Sequence, residues 1–325
     1  MPYGSGAYVA HQQLEANING YHIRSYSPWW TLTPICLPWF ARGRQVDVVH
    51  SDLHYACCFK RPGVPLVATA HGYLLDAFLA PYSSPLQRLH YRTDLQMFVH
   101  ISLAVADRVT AVSHYLAGKL RQHMKDSADI QVIYNGIDEM RFQPAPSSPR
   151  EKRPFRILFC GKLTRKKGAD MLAPLAKQLG SGFEIHYAGG GKLEADDVGT
   201  GKLVALGEVP YEKMHELYHS VDALFVPSVR EGFGLTIAEA MACGLPVVAN
   251  NCSAIPELIE DGEGGFLCEI GQIDQYVEAF NKLMERPQLC RTMGDFNRVR
   301  VEEKFTLARM VEEYRCLFEM LTDTK

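Results

Sequence analysis

Two carboxylates, Glu231 and Glu239, stand eight positions apart in the stretch EGFGLTIAEAMACGLPVV, on either side of a Gly-Phe-Gly turn. The turn follows an apolar strand and leads into a helix, and Gly232 and Gly234 allow close approach to the helix N-terminus. That N-terminus offers unpaired N–H groups and the positive end of the helix dipole to an anion. Ionised carboxylates accept several hydrogen bonds from hydroxyls. The stretch therefore predicts a site for an anionic, hydroxyl-rich ligand, with a capped surface helix as the simpler alternative.

Two lysines follow an earlier strand in the same half of the chain. The stretch ILFCGKLTRKKG, residues 157–168, again has the pattern of strand, turn and helix, and it places Lys162 and Lys167 at the mouth of the same sheet. A lysine ammonium is a point charge suited to phosphate, although a solvated basic loop has the same composition. Three glycines end the next strand, in HYAGGG, but their spacing does not match the dinucleotide-binding fingerprint. The two lysines therefore extend the predicted anion site.

Length and composition limit the class of protein that has to position these residues. A chain of 325 residues fits two domains, and its 47% hydrophobic and 22% charged residues are typical of a globular protein. The net charge of -3 argues against a nucleic-acid partner, which normally selects a basic excess. Nine scattered cysteines without a Cys-x-x-Cys pair indicate reduced thiols. No signal peptide or membrane-spanning run is visible, so we expect a cytoplasmic protein.

Short apolar runs alternate with longer amphipathic ones along the whole chain, which predicts parallel sheets covered by helices. The strands predicted in the first half are Tyr21–Tyr26, Val46–His50, Leu66–His71, Arg108–Val112 and Ile130–Tyr134. The strands predicted in the second half are Phe155–Cys160, Phe183–Ala188, Leu203–Leu206, Ala223–Val226 and Pro246–Ala249. A long helix is predicted over Leu86–Ala106, and three helices close the chain. Between the halves, FQPAPSSPREKRP is rich in proline and charge and is the best candidate for a linker.

The predicted fold is α/β, with two doubly wound, Rossmann-like domains that face each other across a cleft. The predicted boundaries are 1–141 for an acceptor-side domain, 142–154 for the linker, 155–305 for a ligand-binding domain and 306–325 for a helix that packs back toward the first domain. Ligands of such sheets bind at the carboxyl ends of the strands. The chain opens with a Gly-rich turn that normally follows a strand, so we expect a strand to be missing before it.

Several ordered motifs together resemble family 4 of the glycosyltransferases, the retaining enzymes of the GT-B fold. The family signature is an acidic residue, seven others and a second acidic residue, and residues 231–244 match it. LPVVA and IPELIEDGEGGFLC follow in the expected order. Upstream, VIYNGIDEMRF and ADRVTAVSHYL also resemble family segments. The resemblance extends over nearly the whole chain.

The resemblance implies a nucleotide diphosphate-sugar donor held by the second domain. Glu231 would contact hydroxyls of the transferred sugar, and Glu239 would hold the ribose. Backbone N–H groups of Phe233, Gly234 and Leu235 would bind the diphosphate or the donor sugar. These roles are carried over from the family motif that the chain matches.

The same resemblance assigns roles to five further positions, one of which departs from the family pattern. Lys162 and Lys167 would place two cations on the diphosphate, although the family has arginine at the first position, so the bidentate grip is lost. Gly4 and Gly6 of the Gly-rich turn would approach the diphosphate from the first domain. His71, at the end of VATAH, matches a histidine beside the donor sugar, with a packed strand-end histidine as the alternative.

The predicted reaction is a retaining, metal-independent sugar transfer to a glycan or lipid-linked acceptor, in bacterial surface polysaccharide or glycoconjugate synthesis. No Asp-x-Asp is present to bridge magnesium to the diphosphate, and we expect no cofactor besides the donor. His71, Glu231 and Lys167 are the predicted catalytic residues, with the lysines stabilising the departing diphosphate. Two carboxylates also suit a glycosidase, but these two lie on one loop and helix beside cations. A catalytically inactive nucleotide-sugar-binding subunit and a GT-B-fold epimerase remain as alternatives.

An aromatic stretch in the first half bears on the acceptor. SPWWTLTPICLPWFARGR, residues 27–44, contains all three tryptophans, followed by two arginines. It is compatible with core packing, with sugar binding, or with peripheral contact at a membrane beside a lipid-linked acceptor. Prolines at positions 28, 34 and 38 exclude one long amphipathic helix.

Overall fold

The computed structural model describes residues 6–41, 45–122, 129–145, 153–191, 193 and 202–323. The chain divides into two compact units, one of residues 1–136 with 307–325 and one of residues 137–306. The second unit thus begins earlier than the predicted domain boundary at residue 155. The reason is that Phe142, in the predicted linker, is fully buried, and its carbonyl accepts a 2.7 Å hydrogen bond from Arg298.

The first unit is built on a parallel sheet of four strands. These are β1 (Val49–Asp52), β2 (Leu66–Ala70), β3 (Arg108–Ala111) and β4 (Ile130–Val132), in the order β1-β2-β3-β4. Every residue of β2 is buried, as expected for a strand covered on both faces. The structure therefore confirms four of the predicted strands.

The fifth strand predicted for this half, Tyr21–Tyr26, is wrong. Tyr26 forms an isolated β-bridge, but the segment forms no ladder with another described strand. One reason is visible at Ile23, whose N–H donates to the side chain of Glu15 at 2.8 Å rather than to a strand carbonyl. The segment contributes a side chain, Tyr21, to a buried polar cluster instead.

The helices before the second unit are α1 (Gly6–Asn17), α2 (Pro85–His90), α3 (Gln96–Val105) and α4 (His114–Arg121). The long helix predicted over Leu86–Ala106 is confirmed as one continuous helical run, in which Tyr91–Leu95 form a π-helical turn between α2 and α3. A capping box starts α2, because Ser84 accepts from the Gln87 N–H and the Gln87 side chain accepts from the Ser84 N–H.

The second unit has a parallel sheet of six strands in the order β10-β9-β8-β5-β6-β7. They are β5 (Phe155–Cys160), β6 (Phe183–Ala188), β7 (Lys202–Gly207), β8 (Ala223–Val226), β9 (Val247–Asn250) and β10 (Gly265–Cys268). The five predicted strands are confirmed with small shifts at their ends, and β10 was missed because it is short and begins with a glycine that follows another glycine. The first strand of this unit in sequence, β5, lies in the middle of the sheet, so the strand order reverses between β5 and β8.

The described residues of this unit form six α-helices. They are α5 (Leu172–Leu179), α6 (Met214–His219), α7 (Leu235–Ala242), α8 (Ile255–Leu258), α9 (Ile273–Glu285) and α10 (Pro287–Lys304). The core beneath α5 and α9 combines aliphatic and aromatic residues, and in it Phe225 packs edge-on against Tyr276 and Phe280. The core thereby fixes β8, the strand that precedes Glu231.

The last helix, α11 (Leu307–Asp323), belongs to the first unit. Its buried residues Met310, Tyr314 and Leu317 pack in one cluster with Leu14 of α1 and Val67 of β2. The chain therefore returns to its first unit after completing the second, since α11 covers apolar surface that the first 136 residues leave open.

Candidate functional site

The reversal of strand order between β5 and β8 marks where a ligand of this sheet is expected. In open α/β sheets, ligands bind outside the carboxyl ends of the strands at such a switch point. The loop after β5 contains Lys162 and Lys167, and the loop after β8 contains Glu231 and leads into α7. Motifs that lie about 70 residues apart in sequence thus meet at one edge of the sheet.

An ion pair joins the two loops. Nζ of Lys167 lies 2.6 Å from Oε1 of Glu231, with the lysine side chain 34% exposed and the glutamate 12% exposed. The backbone of Glu231 is held in turn by the loop after β9, because its N–H donates to Oγ of Ser253 at 2.9 Å. A cation that is open to solvent and a hydrogen-bond acceptor therefore stand side by side.

Close backbone packing keeps the two loops together. Gly168 has a φ of 75°, and a Cβ at this position would overlap the carbonyl of Pro227 at the end of β8. Val229 N–H also donates to the Lys166 carbonyl at 3.1 Å. Asn250 of β9 completes the arrangement by donating to the Pro227 carbonyl at 2.8 Å. The position of Lys167 beside Glu231 is thus set by main-chain contacts on both sides.

The glycine run after β6 is a packing feature. Gly189 has a φ of 141°, and a Cβ there would overlap the carbonyl of Gly161. Gly161 N–H donates to Ala188 O and Leu163 N–H donates to Gly190 O, both at 2.9 Å. The glycines therefore let the loops after β5 and β6 lie against each other, which holds the segment that contains Lys162.

Glu239 is the buried carboxylate of the site. Its side chain accepts a 2.8 Å hydrogen bond from the hydroxyl of Tyr218, and the residue is 5% exposed. Burial raises the pKa of Glu239 to about 7, although the hydrogen bond from Tyr218 acts in the opposite direction. Burial also raises the pKa of the neighbouring Cys160 thiol to about 12, so that thiol is neutral. Glu239 is therefore a carboxylate whose charge depends on what enters its pocket.

Tyr218 was not found by the sequence analysis. It lies on α6, in a stretch without a recognisable motif, and it is fully buried. The only signal was its place on the apolar face of a helix, which any core tyrosine shares. Its role as partner of Glu239 depends on two helices that meet only in the folded unit.

The start of α7 contains the backbone groups for which the sequence analysis predicted a binding role. Gly234 is in the left-handed region, with φ 110° and ψ 62°, and its carbonyl accepts from the N–H groups of Ile237 and Ala238. Glycine has no side chain to cap the helix, so the first N–H groups are left for another acceptor. Phe233 is buried and packs edge-on against Phe305, so only its backbone can serve a ligand.

The remaining predicted residues lie in the first unit. His71 directly follows β2, and its Nε2 lies 3.3 Å from Nε2 of His11 on α1. Burial lowers the pKa of His71 to about 4, so its ring is neutral at pH 7. Gly6 begins α1, whereas Gly4 lies outside the described residues. The structure thus pairs His71 with a histidine that the sequence analysis did not single out.

The aromatic stretch is not core. It forms two short 3₁₀ helices, Pro28–Leu32 and Pro34–Ala41, in which Leu37 is buried but Trp29 and Trp39 are 78% and 69% exposed. The two arginines at 42 and 44 lie outside the described residues. Within the part of the chain that the structure describes, no helix is long and apolar enough to cross a bilayer.

Curated relatives are similar in sequence over most of the length of the chain. The N-acetyl-alpha-D-glucosaminyl L-malate synthase of Bacillus anthracis is 26% identical, over 96% of this chain and 84% of that protein. The alpha-maltose-1-phosphate synthase of Mycolicibacterium smegmatis is 28% identical, over 95% and 86%. Both relatives are named as synthases.

Solved structures share the fold. Anabaena HepE, crystallised with UDP and glucose, aligns with a TM-score of 0.77 at 19% identity, over 97% of this chain and 96% of that chain. The apo form of the lipopolysaccharide outer core galactosyltransferase WaaB aligns with a TM-score of 0.68 at 16% identity, over 98% and 96%. At such identities the likeness establishes the GT-B fold.

Two family models match consecutive parts of the chain. The model for Glycosyltransferase Family 4 matches residues 9–141, and the model for Glycosyl transferases group 1 matches residues 141–300. The second match contains both predicted donor loops, and together the matches leave only the chain ends uncovered. The chain belongs to glycosyltransferase family 4, the group 1 glycosyltransferases.

Proposed function

We propose that this glycosyltransferase transfers a hexose, with retention and without a metal, from a nucleotide diphosphate-sugar to a glycan or lipid-linked acceptor in surface polysaccharide or glycoconjugate synthesis. The observation that carries the proposal is the contact between Lys167 and Glu231 at the switch point of the second sheet. It places a cation next to an acceptor for hydroxyls, as a sugar attached to a diphosphate requires. The UDP and glucose in HepE support such a donor.

Each group at the switch point has a proposed role. Lys162, Lys167 and the N–H groups at the start of α7 bind the diphosphate, and Glu231 accepts hydrogen bonds from the transferred sugar. Glu239 binds the ribose, whose hydroxyls would donate to the carboxylate and so favour its ionised form. In the first unit, His71 donates to or accepts from a substrate hydroxyl, and a role of Gly4 and Gly6 in binding the diphosphate stays a prediction.

The proposed step breaks the bond between the anomeric carbon and the diphosphate oxygen. The acceptor hydroxyl forms its new bond on the face that the diphosphate leaves, and its proton passes to the departing diphosphate. The developing negative charge is stabilised by Lys162, Lys167 and the helix dipole, which are in place before the reaction. Glu231 orients the sugar and forms no covalent bond with it.

Nucleotide identity is tested by thermal shift with UDP, GDP, ADP and their sugars. A ligand at 100 times its Kd stabilises the folded protein by about 2.7 kcal/mol, which makes the selected base evident. Release of nucleoside diphosphate that requires an added acceptor would separate a transferase from an epimerase or an inactive subunit. Activity is expected to survive excess EDTA, and loss that magnesium restores would contradict the metal-free step.

The role of Glu231 is tested by Glu231→Gln with the exposed Glu263→Gln as control. A lost hydrogen bond to a charged group costs about 1.5–3 kcal/mol, so turnover should fall roughly 10- to 150-fold. Binding of the nucleoside diphosphate should change little, since Lys167 stays in place and loses a competing carboxylate. Equal losses in turnover and in nucleotide binding would contradict the assignment, and unchanged turnover would remove Glu231 from the site.

The exposed aromatic stretch favours a lipid-linked acceptor at a membrane surface. Trp29, Ile35 and Trp39 expose 78%, 87% and 69% of their surface, and such apolar side chains interact well with an interface. Sedimentation with vesicles of phosphatidylglycerol and phosphatidylcholine tests this contact. Trp39→Ser should weaken binding more than Met320→Ser, a change at another exposed residue of the same unit. Absence of binding by the unmodified protein would leave a soluble glycan as the acceptor.

A further inference from the structure

A chain of hydrogen bonds runs behind His71 in the first unit. Nε2 of His71 contacts Nε2 of His11 at 3.3 Å, and Nδ1 of His11 contacts the Tyr21 hydroxyl at 2.5 Å. The same hydroxyl lies 2.9 Å from Nδ1 of His50, whose Nε2 lies 2.6 Å from Oγ1 of Thr69. α1, the segment after it, β1 and β2 each contribute one or more of these side chains. The chain therefore exists only in the folded unit.

In this chain of hydrogen bonds, the donor or acceptor role of each group fixes the role of its neighbour. A neutral imidazole carries one proton, so one of its nitrogens donates and the other accepts. The Tyr21 hydroxyl has one proton and two nitrogen neighbours, so it donates to one histidine and accepts from the other. If every contact is to be a hydrogen bond, His50 and His71 must carry their protons on the same kind of nitrogen, and His11 must carry its proton on the other kind.

The three rings are held neutral by their surroundings. Burial, together with the neighbouring His50 and His71, lowers the pKa of His11 well below its usual value. Burial likewise lowers the pKa of His50 to about 3. At pH 7 all three rings in this chain of hydrogen bonds are thus neutral. Under this condition His11 must have the opposite tautomer to His50 and His71.

One end of the chain is open. Nδ1 of His71 is buried and has no hydrogen-bonding partner among the described residues. A buried polar atom without a partner is costly, and native proteins rarely leave one so. The opposite end is closed, because Oγ1 of Thr69 also lies 2.6 Å from Oγ1 of Thr110. Nδ1 of His71 is therefore a position that needs a hydrogen-bonding group beyond those of the described residues.

We propose that His11 is a positioning residue, which through Tyr21 and His50 locks His71 in one neutral tautomer and so presents Nδ1 of His71 as a hydrogen-bonding position for a substrate hydroxyl. The substrate part of this inference rests on the proposed function, whereas the tautomer part concerns the free protein. A hydroxyl both donates and accepts, so it can pair with Nδ1 in whichever tautomer the chain selects.

The tautomers are measured by ¹⁵N NMR on protein labelled at histidine, with each ring assigned by a His→Gln variant. We expect one tautomer for His71, the same tautomer for His50 and the opposite one for His11. His22, which is exposed, should show the average of a freely exchanging ring. The same tautomer in His11 and His71, or a mixture in His71, would overturn the inference.

Two variants separate positioning from simple packing. Tyr21→Phe removes the hydroxyl that links His11 to His50 while keeping the aromatic ring, so His71 should become a mixture of tautomers. His11→Gln supplies an amide that can still pair with Nε2 of His71, and it should retain one tautomer there. His22→Gln is the control and should leave His71 unchanged. An unaltered His71 in Tyr21→Phe would show that the chain does not set its proton.

The substrate contact is tested with an equimolar mixture of UDP-glucose, GDP-mannose and ADP-glucose. If the mixture raises the melting temperature, it should also shift the Nδ1 resonance of His71 and leave that of His22 in place. A raised melting temperature without a shift at His71 would overturn the substrate contact. A mixture that changes neither would contradict the proposed function, while the tautomer pattern of the free protein would still decide the positioning role of His11.

Discussion

The two units use similar parallel sheets to hold polar clusters of opposite character. In the first, His11, His50 and His71 are neutral rings joined by hydroxyls. In the second, Lys167 and Glu231 form an ion pair, and Glu239 is buried with its carboxylate oxygen accepting from the Tyr218 hydroxyl. One cluster is arranged to stay uncharged, and the other is arranged to receive charge.

This difference implies opposite responses to pH. A buried histidine has a lower pKa in the folded than in the unfolded state, so the unfolded state takes up more protons in acid and stability falls as pH falls. A buried carboxyl with a raised pKa holds its proton longer when folded, so stability falls as pH rises through the interval between the two values. The comparison therefore predicts that acid weakens the first unit while neutral pH weakens the second.

The largest expected effect is acid destabilisation of the first unit. Its free energy of unfolding should fall as the pH drops from about 6.5 toward about 4, by up to roughly 1.4 kcal/mol per pH unit for each histidine. Asp52 stays ionised in this range, because its contact with His54 outweighs burial and lowers its pKa to about 2. The measurement is hydrogen exchange during urea unfolding at several pH values, in β2 and β3 of the first unit and in β8 and β9 of the second. It shows which of the two units loses protection first in acid.

A matched variant sharpens that test. His71→Gln removes one titrating ring, so the dependence of first-unit stability on pH should become shallower. Earlier loss of protection in β8 and β9 than in β2 and β3 at pH 5 would break the comparison.

The second effect concerns Glu239. Its pKa is about 7 in the folded state against 4.5 for an ordinary glutamate, so wild-type stability carries a penalty that grows between these values. Glu239→Gln keeps a partner for Tyr218 without a charge, and at pH 8 it should be more stable than wild type by a few kcal/mol, at about 1.4 kcal/mol per pH unit of the interval. At pH 4.5 the two should be nearly equal in urea denaturation.

Nucleotide binding gives the same variant a second readout. Glu239→Gln should bind the selected nucleoside diphosphate more weakly, because a neutral amide is a poorer acceptor for ribose hydroxyls. Glu263→Gln, at an exposed position, should change neither stability nor binding. A variant that is less stable than wild type at pH 8 would show that Glu239 is paired more fully than its contacts indicate.

The smallest effect separates backbone strain from loop packing. Gly63 in the first unit and Gly168 in the second have similar φ values of 70° and 75°, but only Gly168 faces backbone, at Pro227. Alanine at either position costs about 1–2 kcal/mol for the left-handed conformation. Gly168→Ala should cost more, because the donor loops must separate, and it should also weaken nucleotide binding. Equal melting temperatures for the two variants would contradict the packing role of Gly168.

The two loops proposed to bind the donor are the one after β5, with Lys162 and Lys167, and the one after β8, with Glu231. Their form was predictable from local pattern, because strand, turn and helix follow one another within a few residues. The sequence motif also led to the GT-B fold, which the structural comparisons confirm. The predicted strand at Tyr21–Tyr26 was wrong because alternation predicts an extended segment but not whether a neighbouring strand edge is available to it. The aromatic stretch was equally undecided, since tryptophan at a given position is compatible with core or surface.

The sequence by itself determined the alternation of strands and helices, the glycines where backbone approaches closely and the strand–turn–helix form of the two loops proposed to bind the donor, since these depend on neighbours within a few residues. Only the tertiary structure decided which polar groups meet. Lys167 pairs with Glu231, and the hydroxyl of Tyr218 donates to Glu239. The hydrogen-bond chain runs from His71 through His11, Tyr21 and His50 to Thr69. Each of these contacts joins different elements of the fold. The protonation of these groups followed from the same contacts, because a pKa depends on burial and on neighbouring groups that the fold supplies.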